Sequence, residues 1–223
     1  MAETSENNQR VRATLKRKAE EVFRSLWTSI FYSGRTSGKS VQICCADRRE
    51  GASTIACGLA LAGSEPAGAA RVALVDFNLR TPALYKMLKV KPSPGIREVV
   101  IDGMDPEAAA QPINPALDFY AAGQADERTL DILRSQALSR LFNTLGEAYE
   151  YVIVDVAPAN RFPDVQVLAG LVKDVVMVAH TDQTPREAVA QAKKRIEAGG
   201  GRIAGLVLNL RTYPIPRFLY RRV

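Results

Sequence analysis

The 223-residue sequence predicts an α/β fold: three layers, with a doubly wound and mainly parallel sheet between two sets of helices. Three observations carry that expectation. Short apolar runs alternate with amphipathic stretches along most of the chain. The runs, such as "RVALVDF", "YVIVDVAP" and "DVVMVAH", show little polar alternation, as expected of strands covered on both faces. One run leads through a loop into a Gly-Ala-Ser helix start at 51–53, the kind of junction that presents backbone N–H groups to an anion.

Taken in order, residues 9–32 read as a helix. Val11, Leu15, Val22, Leu26 and Ile30 recur at helical spacing, with Phe23 and Trp27 beside them. "SGRTSG" breaks the pattern as a linker. The strand "VQICC" and the helix "STIACGLALAG" follow. "RVALVDF" is a strand, "PALYKMLKV" a short helix, "LDFYAA" a strand and "DERTLDILRSQALSRLFNTLGEAY" one long helix. The strand "YVIVDVAP" and helix "DVQVLAGLV" precede the strand "DVVMVAH" and helix "PREAVAQAKKRIEAG". "IAGLVLNL" is the last strand. The chain divides into a polar segment and amphipathic helix (1–36), a main domain (37–212) and a basic tail (213–223).

Composition narrows the function classes. Apolar residues make up 47% and charged residues 24%, ordinary for a soluble domain. No run approaches the ~20 apolar residues of a membrane span, and the start "MAETSENNQR" lacks a signal-peptide core. The expected location is the cytoplasm. Three cysteines and one histidine do not make a zinc site of ordinary ligand count. Cys44 and Cys45 read as buried small hydrophobes, and His180 as structural. The net charge of +6 concentrates in "RVRATLKRK" and "RFLYRRV"; this suits an anionic surface, nucleic acid or plain solvation.

Two stretches approach the phosphate-loop pattern G-x-x-x-x-G-K-[ST]. Ser33–Ser40 ends in Gly38-Lys39-Ser40 but precedes its strand, so its N–H groups face the wrong end of the sheet. Ala46–Ser53 leaves a strand and opens a helix, as a phosphate loop must, but carries Ala52 where the lysine belongs. The second stretch is therefore the candidate site and the first a coincidence.

"GASTIACGLALA", "RVALVDFNLRTPALYKML", "PGIREVV", "YVIVDVAPAN" and "VVMVAHTDQTPREAVAQAKKRIEAGGGRIAGLVLNL" together resemble the bacterial tyrosine autokinases of capsule and exopolysaccharide synthesis, a branch of the P-loop ATPases. The resemblance begins near Glu20 and includes "EVFRSLWTSI", similar to the family's E-x-x-R-x-x-R helix. It implies a P-loop NTPase-like sheet, ATP and Mg²⁺ as cofactors, and a membrane-embedded polysaccharide co-polymerase or chain-length regulator as partner. The protein would then sit at the inner face of the plasma membrane through that partner, and could form homo-oligomers.

By the same resemblance, Arg48, Arg49, Glu50, Gly51, Ala52, Ser53 and Thr54 would form the nucleotide loop. Asn209 would read the base, while Ser53, Asp76 and Asp155 would hold Mg²⁺, with Asp76 and Asp155 as the catalytic pair. Glu21, Arg24 and Trp27 fall on the interaction helix, and Tyr213 and Tyr220 are the remaining tail phosphosites.

Several of these positions depart from the pattern. Ala52 removes a charge-assisted hydrogen bond of roughly 1.5–3 kcal/mol, about tenfold to a hundredfold in affinity. In Asp76-Phe77-Asn78-Leu79-Arg80 the second carboxylate has become Asn78, and Trp27 stands for the last arginine of the helix motif. The expectation is a catalytically impaired kinase-like protein that regulates or scaffolds polysaccharide assembly. The alternative is an active autokinase in which Arg48 or Arg49 replaces the lysine. A DNA-binding partition ATPase is disfavoured, because Asp47 occupies the place of that group's additional lysine.

Overall fold

A computed structural model describes residues 18–65, 70–124 and 128–211; Tyr213 and Tyr220 lie outside them. The first helix, α1, covers residues 18–31. There follow β1 (Ser40–Cys45), α2 (Ala52–Gly63), β2 (Val72–Phe77), α3 (Leu84–Leu88), α4 (Ile96–Asp102), α5 (Pro106–Ala109), β3 (Gln111–Asn114) and β4 (Leu117–Tyr120). The second half contains α6 (Thr129–Arg134), α7 (Gln136–Ala148), β5 (Tyr151–Val156), α8 (Asp164–Leu168), β6 (Asp174–His180), α9 (Arg186–Ala198) and β7 (Arg202–Asn209).

The seven strands form one sheet in the order β3-β4-β2-β5-β1-β6-β7. Every pairing is parallel except the β3–β4 edge. Side chains alternate between two cores. Val41, Ile43, Leu74, Phe119 and Ile153 face α1, α2 and α3. Cys44, Val75, Phe77, Val154 and Met177 face α4, α6, α7, α8 and α9. This is the expected P-loop NTPase-like, three-layer arrangement, with β1 between its two flanks and the strands' carboxyl ends opening one crevice.

Four element assignments change: α4 and α5 appear between the helix and strand read at 82–90 and 117–122, one long helix divides, and an edge strand is added. The long helix read across 126–149 is two helices, because Ser135 turns out of helical geometry (ψ 133) and its hydroxyl accepts from Ala137 N at 3.2 Å to start α7. β3 was invisible in the sequence: "QPIN" is neither apolar nor alternating, and Pro112 is tolerated only because the strand is an edge.

The N-terminal helix is part of the core. Trp27 is 8% and Ile30 5% exposed. The indole of Trp27 lies 4.4 Å from the ring centroid of Phe31 and 4.8 Å from that of Tyr151. It packs directly on Gly63, where any Cβ would collide with it. Of the three residues placed on the interaction helix, Trp27 therefore packs within the domain in this chain. Glu21 and Arg24 are exposed, and Arg24 pairs with Glu65 at 3.6 Å.

The linker before β1 is clamped at the sheet's amino end. The Asp174 carboxylate accepts from Ser37 N at 2.6 Å, Ser37 Oγ at 2.9 Å and Arg202 Nη2 at 2.6 Å. Lys39, from the coincidental Gly38-Lys39-Ser40, pairs with Glu150 at 3.0 Å. That stretch enters β1 at the end opposite the phosphate loop, as its place in the sequence required.

Candidate nucleotide site

β1 delivers the chain to the crevice at Cys45, and residues 46–51 carry it into α2. Gly51 takes φ 92 at the helix entrance, a left-handed geometry that costs glycine nothing. It has a second reason to be glycine, since a Cβ there would strike the Asn209 amide. No side chain caps α2, so its first-turn N–H groups face the crevice as a phosphate loop's do. Cys45, Arg48, Arg49, Gly51, Ala52, Ser53, Asn78, Thr81, Val156 and Pro158 line a hollow of about 260 Å³ there.

The loop is held from both sides by the protein itself. The Glu50 carboxylate, 5% exposed, accepts from Ala46 N at 2.9 Å and Asp47 N at 3.2 Å. Its other oxygen accepts from Thr184 Oγ1 at 2.5 Å, and Asn209 Nδ2 donates to the Glu50 carbonyl at 3.0 Å. On the opposite flank, Ala159 N and Asn160 N donate to the carbonyls of Cys45 and Ala46. Arg161 pairs with Asp47 at 2.8 Å. The Arg48 guanidinium lies 6.0 Å from the Phe162 ring centroid, and Arg80 lies over that ring at 4.4 Å while pairing with the buried Asp164 at 3.3 Å.

Beneath the loop, Asp76 of β2 and Asp155 of β5 stand opposite each other in register, both fully buried. Asp76 accepts from Asn78 N and Leu84 N, each at 3.2 Å. Neither carboxylate oxygen of Asp155 has a hydrogen-bond partner. Burial, and then the charge of Asp76, push the Asp155 carboxyl well above the ordinary carboxylate range; the Ser53 hydroxyl opposes this without forming a well-aligned bond. Burial also raises Asp76, opposed by the N–H groups of Leu84 and Asn78. An orphaned carboxylate over a strand end, with the Ser53 side chain at the helix entrance, fits a divalent cation.

The triphosphate side fits less well. Ala52 brings no cation, and Asn78 Oδ1 is committed to Thr81 N and Oγ1 at 3.3 and 3.2 Å. The hollow is also smaller than the roughly 300–1,000 Å³ of ordinary ligand pockets.

The structure thus gathers Arg48, Arg49, Gly51, Ala52 and Ser53 at one hollow, with Asp76 and Asp155 below. Thr54 is exposed on α2. Glu50 and Asn209 bond to the loop's own surroundings. Sequence reasoning missed Thr184 and the Phe162–Arg80–Asp164 cluster. Thr184 lies 134 positions from Glu50, and "TPRE" reads only as a helix start. Phe162 sits in a loop where nothing marks an aromatic as a platform for arginines.

No protein-family profile matches the chain. It is 28% identical over 191 residues to the tyrosine-protein kinase YwqD of Bacillus subtilis (strain 168), covering 85% of this chain and 80% of that protein. It is 23% identical over 196 residues to the putative tyrosine-protein kinase CapB of Staphylococcus aureus, covering 87% and 85%. The crystal structure of the chimerical protein CapA2B2 superposes with a TM-score of 0.79 at 25% identity, over 86% of this chain and 85% of that one.

Proposed function

We propose, from the premise that this chain is homologous to the bacterial tyrosine autokinases of capsule and exopolysaccharide synthesis, that it is a kinase-like regulator or scaffold of polysaccharide assembly with little or no phosphoryl transfer of its own. The observation that carries the reading is the pairing of Ala52 with a counter-charge-free Asp155. Phosphoryl transfer relies on fixed positive charge against the developing charge of the transition state, and the loop supplies none at that position. Arg48 is engaged over Phe162. Ser53, Asp76 and Asp155 retain the means to hold Mg²⁺, so weak nucleotide or cation binding can persist without turnover. The partner in this reading is a membrane-embedded co-polymerase or chain-length regulator, which would hold the protein at the cytoplasmic membrane face. No helix among the described residues is long and apolar enough to cross a membrane.

A second reading, an active autokinase, draws on one observation: Arg48 and Arg49 both line the hollow with Ser53, so an arginine is within the site to replace the lysine. Melting the protein against Mg-ATP separates the two. Nucleotide at a hundred times its dissociation constant would add about 2.7 kcal/mol, and the expected result at millimolar Mg-ATP is a much smaller shift with no hydrolysis above background. Micromolar binding, with turnover abolished by Asp155→Asn, would establish the active enzyme instead.

A further inference from the structure

The sheet ends in two unlike edges. β3 is four residues long and carries Pro112, which cannot donate to a further strand. β7 is eight residues long, and after Arg202 it has no proline and no charge, the usual devices that blunt an edge. Its register against β6 skips Ala204, so the regular edge is Gly205–Asn209. Thr181 N donates to the Asn209 carbonyl at 2.8 Å, which fixes how that edge is turned. Asn209, Val207 and Gly205 direct their main-chain groups to β6, and Leu206 and Leu208 direct theirs outward. The side chains of these two leucines are 48% and 65% exposed. They line a hollow of about 530 Å³ with Pro185 and Val189 of the α9 region. Outward main-chain donors and acceptors and exposed apolar side chains thus fall on the same two residues.

We infer that β7 pairs antiparallel with β7 of a second copy of this chain, about a twofold axis at Val207. A strand joined to its own copy in this way sets one residue opposite itself at the axis. With Val207 there, Leu206 stands opposite Leu208 of the second copy, and Leu208 opposite Leu206. Both pairs have outward main-chain groups, so the two residues of each exchange N–H···O bonds in both directions. The leucines of the two copies then form one apolar layer over the paired hollows. An axis at Leu206 or Leu208 would set a leucine against Ala204 or Leu210, outside the regular edge. The hollow's lining holds one acid, Asp182, and one base, Arg186, both exposed. Two such surfaces therefore meet without net like charge, although the chain as a whole carries +6. The edge is short, so the pair belongs to the weak class that buries less than about 1,200 Å². The inference holds whether or not the chain transfers phosphoryl groups.

Oxidative cross-linking of the full chain tests the register, since Cys44, Cys45 and Cys57 are all buried. Leu206→Cys and Leu208→Cys are oxidised separately and as an equal mixture. In the inferred pairing unlike thiols stand opposite, with Cα atoms about 5.5 Å apart and within disulfide reach. Like thiols lie on the diagonal at about 7–8 Å, beyond it. The mixture is expected to form covalent dimer at least tenfold faster than either variant alone. Sedimentation in reducing buffer gives an independent reading. The wild-type coefficient should rise with concentration, and that of the double variant Leu206→Glu, Leu208→Glu should not, at an unchanged melting temperature. Equal cross-linking rates in the three samples overturn the inference. So does a wild-type chain that stays monomeric at every concentration, whatever else then covers the strand.

Discussion

Asp155 concentrates the electrostatic cost of the site in one side chain. A buried carboxylate with no partner favours its protonated form, and its neighbour Asp76 is pushed up to about 6. The unfolded value lies near 4, so the native state binds more protons between about pH 4 and 6. Stability therefore falls as pH rises through that window as Asp76 ionises, and the raised Asp155 extends the fall to higher pH. Asp155→Asn removes the ionisable group and can donate an N–H to Asp76. In divalent-free buffer it is expected to raise the melting temperature by several degrees at pH 7.5 and by far less at pH 4.5; an equal rise at both would show that charge is not the cause. Ala52→Lys addresses the same pair from above. It should raise Mg-ATP affinity about tenfold by calorimetry and give little turnover, because Asn78 remains bound to Thr81. Robust autophosphorylation from that single change would mean that Ala52 alone limits phosphoryl transfer.

At the scale of the element, α1 is a structural strut. The sequence showed its apolar stripe but not what the stripe meets, because helical periodicity names a buried face without naming the neighbour. Gly63 holds the answer: a glycine near the end of α2 leaves the space that the Trp27 indole fills. Trp27→Ala should thus cost about 3–5 kcal/mol, the usual range for emptying a large aromatic site, while the sedimentation coefficient of the folded fraction stays unchanged. A lost assembly with unaltered melting would return Trp27 to an interface. The split at Ser135 shows the same limit from the other side. The apolar pattern runs across both α6 and α7, and only the cap geometry separates them. β3 left no trace because its pairing partner, rather than its own composition, makes it a strand.

Across the whole molecule, what the sequence disclosed well is what repeats: buried strands, their alternation with helices, and the strand–loop–helix junction at Ala46–Ser53. What it concealed depends on residues far apart meeting, above all Glu50 with Thr184 and Asn209. Those bonds tie three strand ends together; the one from Thr184 goes to the Glu50 carboxylate, and a hydrogen bond to a charged group is worth roughly 1.5–3 kcal/mol, while Asn209 donates to the Glu50 backbone carbonyl. Glu50→Ala is expected to speed amide exchange at 46–51 and 181–185 together, with β2 and β4 unaffected; faster exchange confined to 46–51 would disprove the tie. The Glu50 carboxylate already takes the N–H groups of Ala46 and Asp47, so this part of the loop is in its final shape before anything arrives. A loop braced from within in this way presents the same outline to the crevice whether or not a ligand stands in it.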